Sequence, residues 1–455
     1  MTQRSYFLDH ALLPGGWRRD VRLTTDAGRI ASLQADASAE GATRLSGFAL
    51  PGMPNLHSHA FQRGMAGLAE RRGPANDSFW TWREVMYRFN GNLTPDDLEA
   101  IAAYAYLEML EGGFTSVAEF HYLHHAIDGT PFADLGEMSG RILAAAKTVG
   151  IGVTLLPVFY NYSGFGGLAP VDGQRRFINA PDRYLQLVAR AGELAKGQEG
   201  AIVGMAPHSL RAVTPETLTE IVRGGPGGPV HIHIAEQMKE VNDCIAWSGK
   251  RPVRWLLDNQ RVDQRWCLVH ATHLTDDEVA DMAASGAVAG LCPLTEANLG
   301  DGIFRGTDYI AAHGIYGIGS DSNVEIDAAG ELKMLEYSQR LGLRGRNLMT
   351  SKEGESTGRR LVDDALEGGA QAMGQNLGVL DVGARADFIV LDGDHPDVVA
   401  ADGDRALDAW IFCGGRAMVK HVVAGGEAVV AEGRHAKRDA ILDRYRKTLA
   451  RVLSA

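Results

Sequence analysis

Two histidines, His57 and His59, stand in the segment Pro-Asn-Leu-His-Ser-His-Ala-Phe (54–61). An apolar run, Phe48-Ala-Leu-Pro-Gly-Met, leads straight into them. A strand places residues i and i+2 on the same face, so the two imidazoles can point together at one metal ion. A His-x-His pair also arises by chance. Catalytic zinc sites use three protein ligands or more, so the pair gains meaning only if the rest of the chain supplies partners.

The elements that would position those partners follow a rhythm: a short apolar run, a polar residue at its end, then a helical stretch. The runs are Phe48–Leu56, Phe114–Phe120, Ile151–Tyr160, Ala201–Ala206, Pro229–Ile234, Trp266–Val269, Ala287–Leu291 and Ile315–Ile318. Helical stretches such as Asp96–Leu110 lie between several of them. Strands alternating with helices imply parallel β/α units. Eight units predict an α/β fold, a closed (β/α)8 TIM barrel, whose chemistry gathers where all the carboxyl ends of the strands meet. The ends of the runs carry His57 and His59, then Glu119, His121 and Tyr122, then Tyr160 and Asn161. His208 follows the fourth run, His233 lies in the fifth, His270 ends the sixth and Asp321 follows the eighth. Of the 15 histidines, six sit at these ends, more than a random scatter would place there.

The flanks read differently. Residues 1–47 hold short alternating runs, Asp20-Val-Arg-Leu-Thr and Arg29-Ile-Ala-Ser-Leu among them, with glycine turns between. After residue 376 the pattern is again β, with Ala417–Val423 and Glu427–Val430 flanking Gly425-Gly426, which predicts a hairpin turn. The expectation is a small β-sandwich domain built from both chain ends, residues 1–47 and 376–437, with the catalytic barrel, 48–375, inserted between them. A C-terminal helix, 438–455, closes the chain.

Bulk properties narrow the class. The chain has 455 residues, 45% of them hydrophobic, enough for one large enzyme domain and a smaller one. Its net charge of −12 gives it no general pull towards nucleic acid. No apolar run approaches the roughly 18 residues of a membrane span, and the first residues lack the apolar core of a signal peptide. The four cysteines, Cys244, Cys267, Cys292 and Cys413, form no Cys-x-x-Cys pair, so neither a disulfide framework nor a structural zinc site is expected. A cytoplasmic location fits. The stretch Gly224-Gly-Pro-Gly-Gly precedes a strand and lacks a Gly-Lys-Ser/Thr ending, so phosphate-loop and dinucleotide readings fail.

His57-x-His59 after a strand, His233 with Glu236 three residues on, His270, and Asp321 in Gly-Ser-Asp-Ser together resemble the amidohydrolase superfamily. The likeness covers nearly the whole chain and includes Val-Gly-Ala-Arg-Ala-Asp-Phe-Ile-Val-Leu (382–391). Within the superfamily the chain is similar to the deaminase group with one metal ion. It is most similar to those members that act on N-formimino-L-glutamate in histidine breakdown. That closer match rests on Asn55-Leu-His-Ser-His-Ala-Phe-Gln-Arg, Trp80-Thr-Trp-Arg83, Glu119-Phe-His-Tyr122 and His208-Ser-Leu-Arg211.

The resemblance implies metal ligation by His57, His59, His233 and Asp321. His231 lies on the same strand face as His233, and spacing alone does not separate them. The family's His-x-x-Glu pattern favours His233, because Glu236 follows it. Imidazole and carboxylate donors suit Zn²⁺, with Fe²⁺ or Mn²⁺ as possible substitutes. Two-metal members carry a bridging carboxylated Lys or a carboxylate at the end of the fourth strand. Here that strand, Ile202-Val-Gly-Met-Ala-Pro-His208, has no Lys, so one ion is expected.

The implied reaction is hydrolysis of N-formimino-L-glutamate to N-formyl-L-glutamate and ammonia. Zn²⁺ would bring the pKa of a water to about 7. Asp321 would take that water's proton, His270 would hold it, and Glu236 would protonate the imino nitrogen. The dicarboxylate substrate calls for fixed cations, and arginine binds both oxygens of a carboxylate. Arg83 and Arg211 are the matching positions, with Gln62, Tyr122 and His208 as hydrogen-bonding companions. A homodimer is the expected assembly, with no nucleic-acid or membrane partner. Two alternatives remain open at this stage. One is a deaminase of a nucleobase or related ring on the same metal centre. The other is a non-catalytic scaffold that has lost its metal, which the filled ligand positions oppose.

Overall fold

The computed structural model describes residues 3–72 and 78–454. Eight parallel strands form the predicted barrel: Met53–Ser58, Phe114–His121, Gly152–Phe159, a fourth interrupted between Ala201–Val203 and Ala206–Pro207, Val230–Ile234, Trp266–His270, Val288–Leu291 and Ile315–Ile318. Strands one to four pair in order, as do five to eight. Two seams close the ring. Met205 bridges to Val230 and Ser209 to His233 at one seam, and Ser58 bridges to Asp321 at the other. Every residue of strands two and three is buried. This is why they read as continuous apolar runs instead of alternating ones.

Local sequence sets the helix ends. In the helix Pro95–Glu111, the Thr94 side chain accepts from Asp97 N while the Asp97 side chain accepts from Thr94 N, and Pro95 occupies the first turn. Such a cap is worth about 1 kcal/mol. Gly112-Gly113 then ends the helix, and Gly113 at φ +96 turns the chain into strand two.

The first apolar run divides where the sequence showed no break. Phe48–Leu56 is not one barrel strand. Thr43–Pro51 pairs with Arg4–Leu13 and with Phe388–Leu391 in the flanking sheet, whereas Met53–Ser58 pairs with barrel strand two. The exchange of partners occurs at Gly52, where a Cβ would lie 2.2 Å from the Thr115 side chain. Only glycine permits that approach.

The flanking sheet joins both chain ends in eight strands, with Thr43–Pro51 and Phe388–Leu391 adjacent at its centre. Ile30 N donates to Ala384 O, and Ala386 N to Gly28 O, so its N-terminal edge returns towards the C-terminal segment. Tyr6, Leu8, Val21, Leu23, Phe388 and Val390 fill the core it encloses. The hairpin turn at Gly425-Gly426 joins Val419–Ala424 to Glu427–Ala431. The helical stretch from Gly403 to Met418, before that hairpin, was not anticipated. The final helix, Arg438–Ser454, lies on Pro95–Glu111, with Tyr445 stacked on Tyr104 at 4.2 Å. Among the described residues no helix is long and apolar enough to cross a membrane.

Candidate metal centre and active site

The carboxyl ends of the barrel strands bring His57, His59, His233 and Asp321 together, and one ligand atom from each lies within 4.8 Å of the others. The Nε2 atoms of His57 and His233 are 3.0 Å apart. Asp321 Oδ1 is 3.2 Å from His59 Nε2 and 3.5 Å from His57 Nε2. Backbone carbonyls aim two of these rings. His59 Nδ1 donates to Phe120 O at 2.9 Å, and His233 Nδ1 to His208 O at 3.1 Å. A ring nitrogen that donates to a carbonyl must carry the proton, so the tautomer these bonds select leaves Nε2 to serve as a metal ligand.

Charge completes the fit. Burial pushes His57 down to about 3 and His233 well below the usual histidine value. Burial opposes the charge of Asp321, yet His57 and His59 at its oxygens hold the carboxyl well below the usual carboxylate range. Neutral imidazole nitrogens and an ionised carboxylate converge on one buried point, and these are the donors a divalent cation of the zinc type accepts.

Backbone strain collects here. Ala235, His270, Ala271, Asp321 and Asn323 all have positive φ, between 43° and 69°. All five lie at or just beyond the carboxyl ends of barrel strands, and positions so strained persist only where neighbours enforce them. One enforcing network closes the seam of strands one and eight. Asn55 Nδ2 donates to Ser320 Oγ, Ser320 Oγ donates to Asn323 Oδ1, and Asn323 Nδ2 donates to Ser58 Oγ and His59 O. Gly319 belongs to the same seam, since a Cβ there would lie 2.7 Å from His57 N.

Beside the cluster, His270 Nε2 lies 3.8 Å from Glu236 and 3.9 Å from Asp321 Oδ2. Its Nδ1 faces Glu296 Oε1 at 3.3 Å, and the same oxygen accepts from Cys292 N. Burial alone would lower His270, but Glu236, Glu296 and Asp321 raise it to about 10. Burial lifts Glu236 to about 7. Its loop is held by Glu240, whose carboxylate accepts from Ala235 N and Glu236 N.

One cavity joins this cluster to the other predicted residues: Gln62, Arg83, Tyr122, His208, Arg211 and Glu236 all line it. Gln62 Nε2 donates to Tyr122 OH at 2.8 Å, while Gln62 Oε1 is buried without a partner among the described residues. The Nε atoms of Arg83 and Arg211 are likewise buried and unpartnered, and neither guanidinium meets a carboxylate among the described residues. Arg83 projects from the helix Phe79–Asn90 that follows strand one, and Arg211 from the turn Leu210–Ala212 after strand four.

Two strand-associated histidines do not join the site. His121 is buried but does not line the cavity, and its ring packs 5.4 Å from that of His124. His231 donates Nε2–H to Ala372 O at 2.8 Å, nearer the amino ends of the strands, which leaves His233 as the ligand candidate. Glu296, Asn323 and Tyr160, all beside or in the site, were not singled out from the sequence as site residues. Tyr160 alone gave a signal, at the end of the third apolar run.

Comparison with known proteins adds to this geometry. The amidohydrolase family matches residues 48–429, and the N-terminal domain of formimidoylglutamate deiminase HutF matches residues 4–47. A curated formimidoylglutamate deiminase from Pseudomonas aeruginosa is 54% identical over 98% of this chain and 99% of its own. The crystal structure of an amidohydrolase from Brucella melitensis superposes with a TM-score of 0.95 at 54% identity, covering 99% of this chain and all of that one. A zinc-bound adenosine deaminase from Xanthomonas campestris shares the fold at a TM-score of 0.81 and 19% identity, over 99% of this chain and 98% of that one.

Proposed function

The chain belongs to the amidohydrolase family, and from that premise we propose that it hydrolyses N-formimino-L-glutamate to N-formyl-L-glutamate and ammonia. The observation that carries this reading is the joining, in one cavity, of the four-ligand cluster and two arginines, Arg211 buried and Arg83 half-buried, neither of which pairs with a carboxylate among the described residues. A dicarboxylate bearing a C=N group is complementary to both ends of that cavity. The likeness to the Pseudomonas enzyme along nearly the whole chain supports the same substrate.

A single Zn²⁺ is the ion this reading favours, with Fe²⁺ and Mn²⁺ as substitutes, held by His57, His59, His233 and Asp321. When bound it supplies the Lewis acidity that lowers the pKa of a water to near 7. Arg83 and Arg211 bind the substrate carboxylates through their planar forks. Gln62, Tyr122 and His208 hold the substrate between the arginines and the cluster. Asp321 accepts a proton as the water's oxygen joins the formimino carbon. Glu236, protonated near neutral pH because burial lifts it to about 7, gives its proton to the imino nitrogen.

The substrate carbon then carries one hydroxyl, one amino group, one hydrogen and the retained glutamate nitrogen. His270 donates from Nε2 to the new oxygen, its ring fixed by Glu296. Asp321 then passes its proton to the amino group, the C–N bond breaks and ammonia leaves. Glu236 recovers a proton from the hydroxyl as the formyl C=O forms, so both carboxyls end as they began.

The buried thiols Cys244, Cys267 and Cys292 suit a reducing cytoplasm, and a homodimer is the assembly that family likeness favours. The test is ammonia release from N-formimino-L-glutamate against guanine, cytosine and adenosine. Turnover of a ring compound alone would replace this reading with a ring deaminase.

A further inference from the structure

Trp80 is not one of the residues that line the cavity. Yet three cations from the segments that follow three different barrel strands gather around its indole. The Arg83 guanidinium carbon lies 4.7 Å from the ring centroid, that of Arg211 5.6 Å, and Lys239 Nζ 5.4 Å. Arg83 is one turn further along the same helix, after strand one. Arg211 follows strand four, and Lys239 opens the helix Met238–Ser248 after strand five. Like charges brought this close repel one another unless something compensates.

Among the described residues, Glu240 and Glu236 act on Arg211 only through space, and neither arginine forms an ion pair. Lys239 pairs with Asp243 at the surface. Glu240, the acid with the strongest pull on Arg211, already accepts from two backbone N–H groups. The direct contacts come from the electron-rich faces of Trp80 and, for Arg83, of Tyr87 at 5.6 Å. An aromatic face holds a cation in place without neutralising it, so the arginines stay available to an anion.

We propose that Trp80 is the positioning residue of the carboxylate site: its indole fixes Arg83 and Arg211 at the spacing that receives a dianion, and Lys239 adds a third positive charge over the same ring. This inference deepens the reading given above, resting on it for the substrate's two carboxylates. It requires a difference between dicarboxylate and monocarboxylate ligands that depends on Trp80, a residue that need not touch either.

The test uses the metal-loaded full chain, with Trp80→Leu, Trp80→Phe and Lys239→Gln. Glutarate binding is measured by calorimetry. KM and kcat are measured for N-formimino-L-glutamate and for the monocarboxylate N-formiminoglycine. Trp80→Leu is expected to raise the glutarate Kd and the KM for N-formimino-L-glutamate about tenfold, the scale of a desolvated cation–aromatic contact. Its kcat and metal content should stay near wild type, and the KM for N-formiminoglycine should change less. Trp80→Phe should recover most of the loss. Lys239→Gln should raise KM about threefold and flatten its salt dependence.

An unchanged glutarate Kd in metal-replete Trp80→Leu would overturn the proposal. So would equal losses of kcat and metal in both Trp80 variants, which is the mark of a folding role; a wild-type KM in Lys239→Gln would remove Lys239 from it. Wild-type protein that binds glutarate but releases no ammonia from N-formimino-L-glutamate would sink the activity reading and leave the cation platform standing.

Discussion

The Nε2 atoms of His57 and His233, on strands from opposite sides of the barrel, lie 3.0 Å apart. His233 donates its Nδ1 proton to His208 O and burial keeps the ring neutral, so its Nε2 faces His57 as a lone pair. With His59 and Asp321 Oδ1 at the same point, a cation is the group that relieves the arrangement. Chelation should therefore abolish activity, and one equivalent of Zn²⁺ per chain should restore it. His233→Ala should lose the metal. Metal analysis beside activity checks this; full activity in metal-free protein would contradict it.

His231 should behave in the opposite way. Its ring donates to Ala372 O, so His231→Leu leaves a buried carbonyl unsatisfied, at a cost of about 1–3 kcal/mol. Metal content should stay at the wild-type level while the denaturant midpoint falls. Loss of metal would show that His231 serves the ion after all.

Asp321→Asn should abolish turnover, by about three orders of magnitude or more in kcat, because the amide cannot take the water's proton. Metal content should be measured alongside. A metal-loaded variant that keeps full activity would remove Asp321 from the proton transfers.

Arg83→Ala and Arg211→Ala should chiefly raise KM, each by about ten- to a hundredfold, as expected for a lost charge-assisted contact of about 1.5–3 kcal/mol. Metal content should be unchanged. Near-normal kinetics in both would mean that the carboxylates bind elsewhere.

Acid should weaken the fold through a buried histidine that is not a ligand, His121. Burial holds His121 at about 3, below the ordinary value of about 6.5. Between those values the unfolded chain binds a proton that the folded chain does not. The contribution is thus complete above pH 6.5 and is lost as pH falls towards 3, by up to about 1.4 kcal/mol per pH unit. His121→Phe should show a shallower decline of its denaturant midpoint between pH 7 and 5. An equal slope would place the acid sensitivity in other groups.

The barrel was legible in the sequence because its strands are apolar throughout and its chemistry stands at their ends. Parallel closure then carries His57, His233, His270 and Asp321 to one face whatever the loops do. The division at Gly52 was hidden, since the chain is apolar on both sides and only a contact with Thr115 marks the change of sheet. His231 and His233 share period and burial, and a carbonyl 141 residues away distinguishes them. Glu296 and Asn323 act through tertiary neighbours, and such residues leave no spacing to read; Trp80 stands in a segment the sequence does mark, Trp80-Thr-Trp-Arg83, but its place among three cations is set by tertiary contacts. His121 misled because a strand-end position fixes where a residue lies but not what its ring packs against.

The most direct measurement is ammonia release by metal-loaded protein from N-formimino-L-glutamate, with N-formyl-L-glutamate identified as the second product. The account predicts stoichiometric release of both, and none from guanine, cytosine or adenosine. Ammonia from a ring compound, with N-formimino-L-glutamate left untouched, would contradict it.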